Sequence, residues 1–128
     1  MKQTFWVPGP LPGQNEIIAA AKSGRGKGNA FSRQKAEWTN TVNLRARAAR
    51  LGPFPSPVTI ACVWREPSAR RDPDNVCAGI KFVLDGLVEA KVIHGDGRRH
   101  IAKITHEVET MERPGGNPGV YVTIESTE

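Results

Sequence analysis

The sequence predicts a single α+β domain in which helices pack on a small mixed sheet. Three observations support this class. The length of 128 residues is that of one domain, and the composition, 38% hydrophobic and 24% charged, is typical of a globular protein. Stretches with the two-residue period of strands also alternate with stretches of helical period, in the expected order β-α-β-α-β-β.

The first half of the chain is expected to contain one strand and one helix. Residues 3–7, QTFWV, predict a short strand, and the prolines and glycines of the following PGPLPGQNE argue against regular structure there. The segment near residues 22–30 predicts a flexible basic glycine-rich loop. It is not a phosphate-binding P-loop, because glycine follows Lys27 where that motif needs Ser or Thr. Ser32 is expected to cap a helix that runs to about Leu51.

The second half is expected to contain three strands and one helix. Alternation from Val58 to Trp64 predicts a strand, and apolar residues at helical spacing predict a helix from Asp74 to about Ala90. Alternation again predicts strands at residues 102–108 and 120–124, separated by the turn-rich ERPGGNPG.

The charge of the chain is positive and unevenly distributed. Lysine and arginine number 18 against 13 aspartate and glutamate, a net charge of +5. Between Lys22 and Arg50 there are eight basic residues and one acid. A basic segment of this kind predicts a polyanionic partner, most simply nucleic acid, although a solvated helix face fits the composition equally well. The basic residues expected to contact DNA there are Lys22, Arg25, Lys27, Arg33 and Lys35.

The two cysteines and the hydropathy pattern predict where the protein acts. Cys62 lies in an apolar run and is expected to be a buried thiol, and a pair of cysteines forms neither a disulfide framework nor a metal knuckle. The apolar run at the start is short for a signal peptide, and no stretch has the length of a membrane helix. We therefore expect a cytoplasmic protein without membrane contact.

The stretch RRDPDN, residues 70–75, predicts a metal site. Asp72 and Asp74 are two residues apart in a segment that Pro73 keeps extended, so both carboxylates can face one point. Unpaired, they would repel each other, and a hard divalent cation such as Mg²⁺ or Mn²⁺ removes that penalty. The alternative is that Asp74 or Asn75 only caps the following helix.

A second acidic position occurs in HGDGRRH. Asp96 lies there between two glycines and before two arginines, so an acid again stands beside an arginine pair. Carboxylates would hold the cation and arginines would bind phosphate through forked hydrogen bonds, a combination that suits metal-assisted attack on a phosphodiester. The alternative for Asp96 is an ordinary polar turn residue. The arginines concerned are Arg70, Arg71, Arg98 and Arg99.

The helix after RRDPDN and the three histidines raise further candidates. Lys81 either stabilises charge on the phosphate or forms a surface ion pair with Asp85 four residues on. His106 is expected to be a buried or interface histidine on an apolar strand face. His94 and His100 flank Asp96 and are assigned no role as a base.

The segment RDPDN…IKFVLDGLVEAKVIHGD resembles the RusA family of Holliday junction resolvases of bacteria and their phages, mainly over residues 70–101. The family's metal-binding acids fall on Asp72, Asp74 and Asp96. Its catalytic lysine, one turn after the second acid, corresponds to Ala78, so Lys81 matches only by its place before FVLD.

The resemblance implies a homodimeric, Mg²⁺-dependent endodeoxyribonuclease without an organic cofactor, which nicks two strands of a four-way DNA junction symmetrically in recombination and repair. It also implies a bacterial or phage-infected cell. Two alternatives stay open: a non-catalytic basic DNA-binding protein, and a nuclease for other branched DNA such as flaps and forks.

Overall fold

The computed structural model describes residues 1–23, 29–112 and 116–127, and it confirms the predicted α+β class. Four strands form one mixed sheet, and the helices pack against one of its faces. The elements in chain order are β1 (Lys2–Pro8), α1 (Gln14–Lys22), α2 (Ala30–Ala48), β2 (Val58–Glu66), α3 (Pro73–Cys77), α4 (Ile80–Glu89), β3 (Ile101–Thr110) and β4 (Gly119–Ser126).

The sheet has the strand order β1-β4-β2-β3. β4 pairs antiparallel with both β1 and β2, whereas β2 and β3 run parallel. Val58 lies opposite Ile101 and Glu66 opposite Thr110, so β2 and β3 begin and end side by side. β3 is consequently an edge strand over its full length.

The core forms where alternate residues of the central strands meet the helices. Every second residue of β2 is buried, including Ile60 and Trp64. Cys62 is buried as predicted, and this burial, together with the nearby Cys77 thiol, raises the pKa of Cys62 to about 12. The thiol of Cys62 therefore stays protonated at neutral pH.

β3 does not share this burial. Ile104, His106 and Val108 lie in register with buried residues of β2, yet Ile104 and His106 are exposed and Val108 is only half-buried. The predicted strand is present, but Ile104 and His106 are not buried as their β2 partners are, because β3 lies at the edge of the sheet; within β3, Ile101 belongs to the core and Val108 packs against it.

α2 and α4 pack on each other at a glycine. A side chain at Gly86 would collide with the side chain of Val42, and its Cβ would lie 3.0 Å from the carbonyl oxygen of Thr39. Val42 is fully buried in this contact. The small residue lets the two helix backbones approach closely, which sets the position of α4 above the sheet.

Three helix predictions need correction. The α1 helix was not predicted, because the prolines of the preceding segment obscure the helix-forming residues from Gln14 onward. α2 is capped by Asn29, whose side chain accepts a hydrogen bond from the Ser32 backbone N–H at 2.8 Å, and not by Ser32. α2 also ends at Ala48 and not near Leu51.

The helix predicted from residue 74 to about 90 is divided into α3 and α4. Hydrogen bonds of the tighter i→i+3 type join the backbones of Gly79 and Val76 and of Lys81 and Ala78. Gly79 lies in this turn against the indole of Trp64: a Cβ added at Gly79 would be 3.1 Å from the ring. The spacing from residue 74 to 81 therefore does not follow one regular α-helix.

Within the described residues, no helix is long and apolar enough to cross a membrane.

Gly86→Ala should destabilise the protein by about 1–3 kcal/mol, the typical cost of overpacking a core. Alanine is the better helix former by about 1 kcal/mol, so a net loss would reflect the contact with Val42 alone. Gly97→Ala is the matched control, since nothing lies within 4 Å of its Cβ position. Urea unfolding of both variants measures the difference, and equal midpoints would contradict the close helix contact.

Candidate metal and nucleic-acid site

The corner that carries RRDPDN is held by one arginine. Arg71 donates two parallel hydrogen bonds to the carboxylate of Glu66, at 2.7 and 2.8 Å, in the bidentate geometry of a strong ion pair. Its remaining nitrogen donates to Glu16 at 2.7 Å and to the carbonyl oxygen of Leu11 at 3.0 Å. Arg71 therefore ties the end of β2 to the start of α1.

The electrostatic effects of this cluster agree with its geometry. The hydrogen bond to Glu66 raises the pKa of Arg71. Burial pushes the pKa of Glu16 upward, but the hydrogen bonds from Arg71 and from the backbone N–H of Gly13 outweigh it, and the pKa of Glu16 is lowered overall. Arg71 and Glu16 are thus both charged at neutral pH.

The predicted phosphate-binding role of Arg71 is corrected by these contacts. Its side chain is 18% exposed, and its nitrogens are engaged by two carboxylates and a carbonyl group. The guanidinium of Arg71 therefore holds the corner in place. The neighbouring Arg70 is the arginine that faces solvent.

Asn75 fastens α3 to α1. Its side-chain oxygen accepts a hydrogen bond from the Asn15 backbone N–H at 3.0 Å, and Asn75 is buried. Gly13 fits between these parts, because a Cβ there would lie 2.6 Å from the Asn75 side-chain oxygen and 2.9 Å from Arg71. Asn75 is thus a structural residue that fixes the preceding segment, which carries Asp72 and Asp74, against α1.

Asp72 and Asp74 lie exposed on this corner. Asp72 occupies the N-cap position of α3 but its side chain makes no capping hydrogen bond, and Asp74 stands in the first helical turn. Neither takes part in a salt bridge within the part of the chain that the structure describes. The capping alternative therefore does not account for either carboxylate.

Asp96 lies elsewhere in the fold. It lines a cavity between α2 and α4 together with Asp85 and Glu89, and a second cavity beside the first residues of β3. Across residues 1–23, 29–112 and 116–127, no three His, Cys, Asp or Glu side chains are grouped so as to hold a metal ion. The structure thus brings Asp72 and Asp74 to one corner and does not group Asp96 with them.

These positions are a partial fit to the divalent cation that the sequence predicts. Asp72 and Asp74 are exposed, and neither forms a salt bridge with another described residue, so their oxygens are available as the hard ligands that Mg²⁺ takes. Mg²⁺ is commonly held by one or two carboxylates and keeps several waters, so two carboxylates are within the usual range of protein ligands.

Lys81 and Asp85 do not form the predicted ion pair. Lys81 is exposed, and among the described residues its ammonium group contacts no carboxylate within 4 Å. Asp85 is not a surface residue either, since its Oδ2 atom is buried and accepts no hydrogen bond. Sequence analysis missed Asp85 as a candidate site residue because four-residue spacing to a lysine normally indicates a surface pair.

The other predicted DNA contacts are mostly exposed. Arg25 and Lys27 lie outside the described residues, as does most of the predicted basic loop. Lys35 borders the cavity that Asp96 lines, and Arg98 borders the cavity beside β3. Among the predicted DNA contacts, the described residues that are exposed to solvent are Lys22, Arg33, Lys35, Arg70, Arg98 and Arg99.

The histidines have structural contacts. His106 was predicted to be buried or at an interface, and it is exposed in the protein chain. Its Nδ1 accepts a hydrogen bond from the Trp64 indole N–H at 2.9 Å. Desolvation lowers the pKa of His106. His100 lies 3.0 Å from the Ser56 hydroxyl through Nδ1, and its ring centre is 6.4 Å from that of His94.

Comparison with known proteins adds no assignment to this geometry. No protein-family model matches the sequence, and no curated protein matches it. The resemblance to RusA resolvases therefore stays a prediction that rests on the motif between residues 70 and 101. The function has to be inferred from the contacts, charges and exposure of the residues themselves.

Arg71→Met should lower the free energy of unfolding by about 3–5 kcal/mol, because it leaves the carboxylate of Glu66 buried and unpaired. Arg70→Met is the control and should stay within about 0.5 kcal/mol of the original protein. The double variant Arg71→Met, Glu66→Leu should recover much of the loss, since no buried charge then remains. Chemical denaturation measures all three, and a neutral Arg71→Met would contradict the role of this ion pair.

The lowered pKa of His106 predicts a stability that falls with falling pH. Below about pH 6.5 the unfolded chain takes up a proton on this imidazole before the folded protein does, so stability declines until the pH passes the folded pKa. Above about pH 6.5 His106 is neutral in both the folded and the unfolded state, so its full contribution to stability is present. His106→Gln should show a shallower loss of stability between neutral and mildly acidic pH than the original protein, measured by urea unfolding at each pH; an unchanged slope would contradict the assignment to His106.

Proposed function

We propose that the protein is a metal-dependent endodeoxyribonuclease that cuts branched DNA, with the four-way junction as the substrate that the motif favours. The observation that carries this proposal is the pair of exposed carboxylates of Asp72 and Asp74, which form no salt bridge with other described residues and lie on a corner that Arg71 and Asn75 immobilise. A corner held by a buried ion pair is well suited to presenting two neighbouring carboxylates to a cation.

The chemistry divides between the cation and the chain. When bound, Mg²⁺ or Mn²⁺ supplies Lewis acidity that activates water and offsets charge on the scissile phosphate. Asp72 and Asp74 would hold the ion. Arg70, exposed beside them, would bind the phosphate and fix its orientation. Lys81, which is exposed and forms no salt bridge with another described residue, would neutralise charge on the same strand.

Electrostatics supports DNA as the partner. The net charge of +5 and the exposed basic residues on α1, α2 and the turn before β3 would attract the phosphate backbone. These contacts are independent of DNA sequence, so they fit an enzyme that recognises the shape of a branch. The DNA would meet this protein in the cytoplasm of a bacterial or phage-infected cell.

A homodimer is part of the proposal, and the edge strand β3 is the surface we assign to it. Two copies of β3 that pair antiparallel about Thr105 would place Lys103 opposite Glu107 of the second copy, twice by symmetry. The exposed Ile104 would be covered in the same step. Two-fold symmetry matches the paired cuts that a junction requires.

Two other functions compete with this one. A non-catalytic DNA-binding protein would use the same basic residues, but it gives no reason for two exposed acids on a fixed corner. A nuclease for flaps or forks would use the same corner, and only the substrate would differ. Cleavage assays on the three DNA shapes distinguish all of these.

Asp74→Asn should lower Mg²⁺-dependent cleavage of a labelled four-way junction by at least about a hundredfold, which is about 2.7 kcal/mol of barrier. Junction binding should be unchanged or tighter, since one charge that repels phosphate is gone. Glu125→Gln, an exposed acid on β4, is the control and should cut normally.

EDTA should abolish cleavage by the original protein. Equal cleavage by Asp74→Asn would remove this corner from the mechanism, and binding without any cleavage would favour the non-catalytic alternative.

A further inference from the structure

α2 and α4 end with the same backbone motif. At the end of α2 the backbone N–H of Leu51 bonds to the carbonyl oxygen of Ala46, and the equivalent bond from Val92 closes α4, as in a Schellman motif. In each motif the preceding residue turns the chain into the left-handed region. That residue is Arg50 after α2, with a φ of 54°, and Lys91 after α4, with a φ of 61°.

A residue at this left-handed position is normally glycine or asparagine, because a Cβ is crowded there. Among the described residues other than glycine, Arg50 and Lys91 are the two with positive φ. Glycine would form the same turns with less strain, so the backbone geometry does not explain the two long basic side chains. Strained backbone of this kind is concentrated at functional sites.

Stabilisation of the helix ends explains only part of this charge. Cations near a helix C-terminus offset the negative end of its dipole. On α2 this is already supplied by Arg45 and Arg47 in the last turn. Arg47 also donates a hydrogen bond to the carbonyl oxygen of Glu89 at the end of α4, at 3.2 Å. The cations of Arg50 and Lys91 are additional to these.

The two helix ends lie side by side. Pro53, three residues after Arg50, lines a cavity of about 360 Å³ together with Lys91. The backbone N–H of Phe54 bonds to the carbonyl oxygen of Val92 at 2.9 Å, which joins the segments that follow α2 and α4. The basic residues of both helix ends therefore belong to one surface, called the basic end below. They are Arg47, Arg50 and Lys91.

The charge of the basic end favours a polyanion as its partner. All three cations are exposed, and none forms a salt bridge with another described residue. The sequence contains no acid between Glu37 and Glu66, and Glu89 is the one acid from residue 86 to residue 95. Repulsion among neighbouring cations with so little opposing charge is relieved when they bind an anion.

The basic end lies far from the corner of Asp72 and Asp74. Phe54 leads into the first residue of β2, whereas Arg71 holds the corner at the last residue, Glu66. β2 has nine residues, and a strand rises by about 3.3 Å per residue, so the two places are roughly 25–30 Å apart. One turn of duplex DNA spans about 34 Å, and the same face of the duplex returns once per turn. One duplex can therefore contact both places.

We propose that the basic end is a second DNA-binding site, which holds the phosphate backbone of a duplex arm away from the point of cleavage. Arg47, Arg50 and Lys91 donate charge-assisted hydrogen bonds to phosphate oxygens. Such contacts fix the position of the arm and do not read its base sequence. Binding of duplex DNA stands on the basic end alone, and the place of this arm in a cleaved junction rests on the nuclease function proposed above.

The test measures binding of the full chain to a labelled blunt DNA duplex by fluorescence anisotropy, in EDTA and over a range of salt. Arg50→Gly and Lys91→Gly each remove one cation and place glycine where the backbone is left-handed. Each should weaken binding and reduce the slope of log K against log salt by about 0.9, the contribution of one phosphate contact. The Tm of each variant should equal or exceed that of the original protein, because glycine relieves the strained turn.

Matched variants separate a DNA contact from an effect of net charge or of the turn. Arg65→Gln also removes one cation, but Arg65 is already paired with Glu109 at 3.1 Å, so the salt slope should stay near the original value. Arg50→Gln and Lys91→Gln keep a side chain at each turn and should reduce the slope as the glycine variants do. Arg50→Lys and Lys91→Arg keep the charge and should bind as the original protein does.

Two results would overturn the proposal. One is an unchanged salt slope in both the glycine and the glutamine variants, which would leave the cations of Arg50 and Lys91 with a structural role only. The other is an equal loss of affinity in Arg65→Gln, which would show that binding follows net charge and not this surface.

The outcomes also separate this inference from the nuclease function. If the glycine variants lose duplex affinity and the protein cuts no branched DNA, the basic end stands and the proposed function fails. If junctions are cut and the glycine variants bind duplex as the original protein does, the function stands and the basic end is not a DNA-binding site.

Discussion

The guanidinium of Arg71 joins the end of β2, the start of α1 and the carbonyl of Leu11, and the candidate site depends on it. Glu66 closes the central strand and is buried only because Arg71 neutralises it. Removing either partner would leave an unpaired charge in the protein interior, so the stability of the fold depends on both side chains. The ion pair also fixes the corner on which Asp72 and Asp74 lie.

The layering of the fold leaves one strand largely uncovered. α2 and α4 pack on each other through the close contact at Gly86, α2 contacts β1, and α3 is the helix that contacts β3. The result is an edge strand of ten residues whose helix-side residues, Ile104 and His106, face solvent. Native edge strands are normally protected, and the charged residues of β3 both provide such protection and restrict which strand can pair with it.

The acids of the candidate site differ in position more than in exposure. Asp72, Asp74 and Asp96 are all exposed, but Asp72 and Asp74 lie at the corner that Arg71 holds, whereas Asp96 lies beside α2 and α4. Exposed carboxylates are solvated without a ligand, so what distinguishes the pair is its place next to the ion pair of Arg71 and Glu66.

Local patterns in the sequence determined the α+β class and the four strands, because strand alternation acts over a few residues. They also predicted a metal site at Asp72 and Asp74, which the structure shows to be exposed. Tertiary structure decided the partners of the other candidate residues. Whether Arg71 meets a phosphate or Glu66, and whether Asp85 pairs with Lys81, depends on how distant parts of the chain pack. Burial and partner choice arise only when the helices pack on the sheet, since hydrogen bonds and charges respond to their neighbours in space.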